Sequence, residues 1–322
     1  MTNIVEVRNL HVRFSGERTV HAVNDVSLSV AEGEVLGLLG ESGSGKSVTL
    51  RALLRLLPKA RTTISGTIKV AGQDVLALGE QKLSAFRGQT ASMIFQEPGL
   101  ALDPVYTIGD QIAESVVRHK GVSKSDAMAR ALQMLDVVRI PSAKRRLESY
   151  PHEMSGGMRQ RAMIALALAC EPKVLLADEP TTALDATVQI QILLLLRELQ
   201  REFGMSVIFV THDIGVAIEI CDRVAVMYAG QIVETGTMRE IVRSPLHPYP
   251  KGLLASTVHG AERGSRLGTI PGAPPSLSTA PDSCSFAPRC SNAQPRCVEQ
   301  LPPTVQIGPE RIVRCVLAES AA

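Results

Sequence analysis

The 322-residue chain has little net charge, few aromatic rings and no long apolar run, and each shortage narrows what it can be. Lys and Arg number 34 against 32 Asp and Glu, a formal charge of +2. Composition therefore offers no polycationic surface for nucleic acid or for a strongly anionic partner. No apolar stretch approaches the ~18 residues a helix needs to cross a bilayer. The opening Met1-Thr2-Asn3-Ile4-Val5-Glu6-Val7 lacks the basic segment and apolar run of a secretory signal, so a cytosolic chain is expected, with any membrane role peripheral. Six cysteines in that compartment are expected to stay reduced. Tryptophan is absent and aromatics make up 3%, yet hydrophobic residues reach 45%, enough for a proper core, and the length allows two domains.

Three regimes follow one another along the chain. From Ile4 to Val30 apolar and polar positions alternate (Ile4, Val7, Leu10, Val12, then Val26, Leu28, Val30), which predicts an antiparallel, half-exposed sheet. From Glu34 the pattern changes to continuous apolar runs, Val35–Leu39, Val174–Ala177 and Val207–Val210, as in strands buried on both faces of a parallel sheet. Between residues 97 and 170 strand signals fade, and Asp110–Lys120 and Ser123–Val138 have the spacing of amphipathic helices, so a helical subdomain inserted there is expected. Near residue 245 the third regime begins: prolines recur from Pro245 to Pro303 and exclude long helices, giving an appended, loop-rich segment over 245–322 behind a first domain of 1–244.

Gly40-Glu41-Ser42-Gly43-Ser44-Gly45-Lys46-Ser47 matches the phosphate-loop pattern G-x-x-x-x-G-K-[ST], with a buried strand before it and a helical run (Leu50, Leu53, Leu54, Leu57) after it. Glycines let backbone N–H groups curl around phosphate oxygens, the helix start adds partial positive charge, Lys46 reaches the β and γ phosphates, and Ser47 can hold Mg²⁺. Asp178 ends a buried strand, where a bare carboxylate is costly unless a metal or hydrogen bonds compensate it. Glu179 beside it is a candidate general base for an attacking water. A plainer reading is an acidic pair before a helix start at Pro180-Thr181. Gln96 and His212 follow apolar strands, at the strand ends where open α/β sheets place ligands. Ser155-Gly156-Gly157 can offer unobstructed N–H groups to a second anion, or Ser155 can simply cap a helix.

The order of these segments, phosphate loop, Gln96, Met154-Ser155-Gly156-Gly157-Met158-Arg159-Gln160-Arg161, Val174-Leu175-Leu176-Ala177-Asp178-Glu179-Pro180, Asp185 and His212, resembles the ATP-binding cassette of ABC transporters. The resemblance implies an α/β P-loop cassette: a mostly parallel core sheet, an antiparallel N-terminal sheet and an inserted helical subdomain, joined to the cysteine-containing extension. It implies ATP at Gly40, Ser42, Gly43, Gly45, Lys46, Ser47 and Val48, and Mg²⁺ through Ser47, Gln96 and Asp178. Lys46, Gln96, Glu179 and His212 would act on the phosphates. Phe14 is the candidate ring for stacking on adenine and equally fits a core position. Two such cassettes sandwich two ATP molecules head to tail, so Ser155, Gly156, Gly157 and Met158 would serve a partner's nucleotide and Asp185 would lie on the loop crossing that interface. The family's usual glutamine is Met158 here, a departure shared with one branch, the D-type subunits of oligopeptide/dipeptide importers. Phe95-Gln96-Glu97-Pro98, Leu102–Ile112, His247-Pro248-Tyr249, Ile270–Pro275 and Phe286-Ala287-Pro288-Arg289-Cys290 are similar to that branch too. One cassette per chain then implies a second, related ATPase subunit in a heterodimer, two transmembrane permease subunits, an extracytoplasmic substrate-binding protein reached indirectly, and a place on the cytoplasmic face of the plasma (inner) membrane.

Cys284, Cys290, Cys297 and Cys315 are separated by loops too long for a compact zinc ribbon. A [4Fe–4S] cluster tolerates such spacing and would stabilise a segment with few large apolar residues; Zn²⁺ or no metal remain alternatives. Cys170 and Cys221 lie in apolar helical surroundings and read as core. Two rival functions stay open at this point, a soluble cassette ATPase and a redox- or iron-responsive ATPase that uses the four thiols.

Overall fold

The structure is a computed structural model, and it describes residues 2–182, 184–257 and 268–318. Parts of the C-terminal segment, 258–267 and 319–322, lie outside the described residues. The strands are β1 (Asn3–Phe14), β2 (Val20–Ala31), β3 (Val35–Leu39), β4 (Thr62–Val70), β5 (Gln73–Asp74), β6 (Ala91–Ile94), β7 (Val174–Asp178), β8 (Ser206–Thr211), β9 (Arg223–Tyr228), β10 (Gln231–Thr237), β11 (Thr304–Gln306) and β12 (Ile312–Arg314). They fall in two compact units. One comprises residues 5–30, 34–69 and 209–322, and the other residues 1–4, 31–33 and 70–208.

The first of these units holds the phosphate loop. Its sheet places β1 between β2 and β4, with Val5, Val7, Leu10, Val12, Val23, Val26 and Val30 buried, the alternation expected of a half-exposed sheet. A second, mixed sheet runs β11-β12-β10-β9-β3. β3 pairs in parallel with β9, whereas β9–β10, β10–β12 and β12–β11 pair antiparallel. The C-terminal segment is therefore more than loops, because it adds two strands to the edge of β10. Its helices are short, Pro248–Ala255 and Pro295–Glu299, each with proline in the first turn, where the missing N–H costs nothing.

The other unit pairs β6 in parallel with β7 and carries the helical stretch. Helices Ile108–Lys120 and Lys124–Val137 begin at Thr107 and Ser123, whose hydroxyls accept from Asp110 N and Asp126 N. The buried residues Ile112, Ala113, Val116, Ala127, Ala131, Met134 and Leu135 mark the apolar stripes that pack them together. No helix among the described residues is long and apolar enough to cross a membrane.

Candidate nucleotide site

In the loop unit all five residues of β3 are buried, and the chain leaves the strand through three positive-φ glycines, Gly40, Gly43 and Gly45. Two of them are fixed by crowding. A Cβ on Gly40 would lie 2.0 Å from the Met227 carbonyl oxygen, and one on Gly45 would lie 2.5 Å from that of Ala22. Lys46 is buried and curls over the loop, its Nζ donating to the carbonyls of Gly40 and Glu41 at 2.8 Å each. Helix Lys46–Leu53 starts without a side-chain cap and without an acidic residue in its first turn. Its dipole favours an anion at that end. The Ser44 hydroxyl is buried with no hydrogen-bond partner. Tight glycine backbone, an ammonium folded over the loop and an unsatisfied buried hydroxyl together fit a phosphate chain. Phe14 and Val48 are half-buried, and His212 is exposed directly after β8.

The other unit assembles the carboxylates. β7 is buried throughout and ends on Asp178, 1% exposed. Glu179 takes φ 46°, a left-handed conformation that costs a non-glycine residue roughly 1–2 kcal/mol and is kept where the surroundings enforce it. Its Oε2 accepts from Gln96 Nε2 at 3.1 Å and from Thr182 Oγ1 at 2.9 Å. Gln96 and Glu179, 83 residues apart, thus share one hydrogen bond. Ser155 and Asp185 both cap helices: Ser155 Oγ accepts from Met158 N ahead of Gly156–Leu168, and Asp185 Oδ1 accepts from Val188 N ahead of Ala186–Phe203. A Cβ on Gly157 would lie 3.0 Å from Val188 Cγ1, so that glycine also admits the neighbouring helix.

Sequence reasoning missed Ser44, Thr182 and the partners of Glu41. Arg289 donates to Glu41 Oε2 at 2.9 Å, and Glu41 N donates to the Tyr249 hydroxyl at 2.8 Å. Both partners sit in motifs visible in the sequence, His247-Pro248-Tyr249 and Phe286–Cys290, but nothing there points to a loop more than 200 residues upstream.

Cys284, Cys290, Cys297 and Cys315 line one cavity with His247 and Phe286. Burial pushes the Cys284, Cys290 and Cys315 thiols up, and burial together with the Lys251 charge lowers His247 to about 3. Cys297 packs with Ala287 and Val316, and Cys315 with Val313 and Ala318. The cavity measures ≈ 10 Å³, the scale of one water position. Among the described residues no group of three or more His, Cys, Asp or Glu side chains is arranged to hold a metal ion. Four thiols at one cavity is the observation. Cys170 and Cys221 are buried, as their apolar surroundings predicted.

A glycine loop closed by lysine, a carboxylate pair after a buried strand and a Ser-Gly-Gly helix start together define a P-loop nucleotide-binding cassette. Solved cassettes share the fold: a dimeric ATP-binding cassette in a post-hydrolysis state bound to ADP and Pi matches with TM-score 0.65 and 31% identity, covering 73% of this chain and 99% of that one. The cbiO1 protein of Clostridium perfringens, part of the ABC transporter complex cbiONQ, also matches at TM-score 0.65, with 27% identity over 76% of this chain and 92% of its own. The family model for the ABC transporter matches residues 23–182, and that for the oligopeptide/dipeptide transporter C-terminal region matches residues 233–297. A probable peptide ABC transporter ATP-binding protein of Sinorhizobium fredii is 51% identical over 85% of this chain and 83% of its own. The dipeptide transport ATP-binding protein DppD of Bacillus subtilis is 48% identical over 86% and 83%, and the oligopeptide transport ATP-binding protein OppD of Salmonella typhimurium 48% over 85% and 82%. The chain belongs to the ATP-binding proteins of the ABC transporter family.

Proposed function

We propose that this chain is the ATP-hydrolysing subunit of an importer for di- or oligopeptides or related solutes, one of two cassettes that drive a pair of transmembrane permease subunits. The observation that carries the reading is the phosphate loop, whose Gly40 and Gly45 leave no room for a side chain and whose Lys46 spans the loop carbonyls. The loop is followed in the same chain by a C-terminal region matching the oligopeptide/dipeptide type. The rival readings as a soluble cassette or an iron sensor gain nothing from the relatives.

Residue roles are taken from the resemblance to the ATP-binding cassette. Gly40, Ser42, Gly43, Gly45, Lys46, Ser47 and Val48 would bind the triphosphate, with Phe14 against adenine. Mg²⁺ would be held by Ser47, Gln96 and Asp178, and when bound it neutralises charge on the phosphate oxygens. Glu179, oriented by Gln96 and Thr182, polarises the attacking water, and His212 contacts the γ-phosphate. Ser155, Gly156, Gly157 and Met158, with Asp185, complete the site of an unlike partner cassette, and the pair would dock on the cytoplasmic face of the membrane. Peptide-stimulated ATP hydrolysis by this chain, reconstituted with its partner cassette, permeases and binding protein, tests the assignment; stimulation by no peptide would remove it. A second reading concerns the four thiols, which would bind a [4Fe–4S] cluster or Zn²⁺ as a staple for a region with few large apolar side chains. It is supported by the convergence of all four on one cavity. Iron, sulfide and zinc analysis of anaerobically prepared protein decides it, and absence of all three ends it.

A further inference from the structure

We infer that Arg289, in the C-terminal extension, is a positioning residue for the phosphate loop and acts through Glu41 to set the affinity for ATP; this deepens the nucleotide-site reading above and rests on it. Glu41 is the residue after Gly40, inside the loop, and each of its polar groups is held by a different element. Its N–H donates to the Tyr249 hydroxyl at 2.8 Å, its carbonyl accepts from Lys46 Nζ at 2.8 Å, and its carboxylate accepts from Arg289 at 2.9 Å. The carbonyl also accepts from Ser44 N at 3.2 Å within the loop itself, and the holders of the N–H and the carboxylate both come from the extension.

Arg289 is built for that task. Its side chain is 6% exposed. Its Nε donates to the Pro271 carbonyl at 2.8 Å, a second nitrogen to the Ile270 carbonyl at 3.4 Å, and the nitrogen on Glu41 also reaches the Tyr228 hydroxyl at 3.3 Å. The guanidinium carbon lies 5.8 Å from the Tyr228 ring centre. A planar fork fixed at this many points has one orientation, which a flexible ammonium would not share. Tyr228, Tyr249 and Phe286 form a ring cluster with centroids 4.7, 5.2 and 5.4 Å apart, so both holders of Glu41 rest on the same rigid packing. Strand β9, which carries Tyr228, is followed without a break by Ala229 and Gly230, whose N–H donates to the Ser44 carbonyl at 2.9 Å. The loop is thus braced from the extension on its Glu41 side and from the β9–β10 turn at Ser44. Residues 42 and 43 between them stay exposed, open to a nucleotide.

Equilibrium binding of MgATP to the full-length chain tests this with R289Q, E41Q, R289K and the double variant E41Q/R289Q. Either single glutamine variant is expected to raise Kd about tenfold. The double variant should be no weaker than the singles, because each already breaks the same link. R289K should recover part of the affinity, since lysine can still pair with Glu41. In the assembled transporter the change should fall on KM for ATP rather than on kcat. Should R289Q fail to fold, E41Q carries the test alone, because its side chain is 26% exposed and the fork keeps its carbonyl partners. Kd within twofold of wild type in the singles, or losses that multiply in the double variant, would overturn the inference. Failure of the wild-type chain to bind ATP would instead sink the nucleotide-site reading itself.

Discussion

Replacing Gly157 by alanine separates two reasons for a glycine in the Ser-Gly-Gly segment. The added Cβ would lie 3.0 Å from Val188 Cγ1, so the valine must retreat by a few tenths of an ångström. Overpacking of this kind costs about 1–3 kcal/mol, while alanine regains about 1 kcal/mol over glycine within a helix. The net loss of stability should therefore be about 0–2 kcal/mol, read as a shift in urea midpoint. Pairing the change with V188A removes the obstructing methyl, so the double variant should exceed V188A alone in stability by up to about 1 kcal/mol. If the space at Gly157 must also admit a partner's γ-phosphate to its N–H, the alanine methyl still obstructs that approach and the double variant stays impaired in the transporter's ATPase rate, by up to the roughly 100-fold or more of one oxyanion donor put out of reach. Recovery of both stability and ATPase in G157A/V188A would show that the glycine serves helix packing only, and the phosphate reading of the segment would go.

Three further outcomes are expected. E179Q keeps the hydrogen-bonding shape at the end of β7 but removes the base, so it should bind ATP, hydrolyse it at least 100-fold more slowly, which is about 2.7 kcal/mol of barrier, and accumulate a closed dimer on size-exclusion chromatography; undiminished hydrolysis removes Glu179 as the base. K46A should abolish tight ATP binding measured by calorimetry, and wild-type affinity would contradict the phosphate-loop assignment. R311M should destabilise the chain by roughly 3–5 kcal/mol in chemical unfolding, because Glu234, with a fully buried side chain, would keep only the Leu246 and His247 N–H groups after losing its 3.0 Å ion pair; an unchanged midpoint would show that those amides suffice.

Features that depend on a few neighbouring residues were legible in the sequence. β3, β7 and β8 are buried at every position, as continuous apolar runs predict, and the helices beginning after Thr107 and Ser123 follow their caps. Contacts between distant segments were not. β11 and β12 are three residues each, too short for an alternation to register, so a segment read as loops proved to extend a sheet. Ser155 was open to reading as a phosphate donor or as a plain cap because one hydroxyl can serve in either, and here it accepts from Met158 N. The spacing of the four cysteines could exclude a compact ribbon but could not foresee that all four line one cavity with His247 and Phe286. Met93-Ile94-Phe95 forms one apolar run before Gln96, yet Phe95 lies beyond the end of β6 and is 37% exposed.

The ion pair between Glu41 and Arg289 spans 248 residues of sequence, and that interval is also a delay. At a ribosomal pace of about 5–20 residues per second, roughly 12–50 s separate the appearance of the phosphate loop from that of the arginine that braces it. The strands that cover the edge of β10 arrive later still. During that time the emerging chain presents an uncovered strand edge, which is where unwanted pairing begins, and a nucleotide loop without its brace. Competence to bind ATP tightly would therefore be reached only once residue 289 has emerged, and a chain cut short before it would leave the ribosome with its loop sequence intact and its grip on nucleotide unfinished.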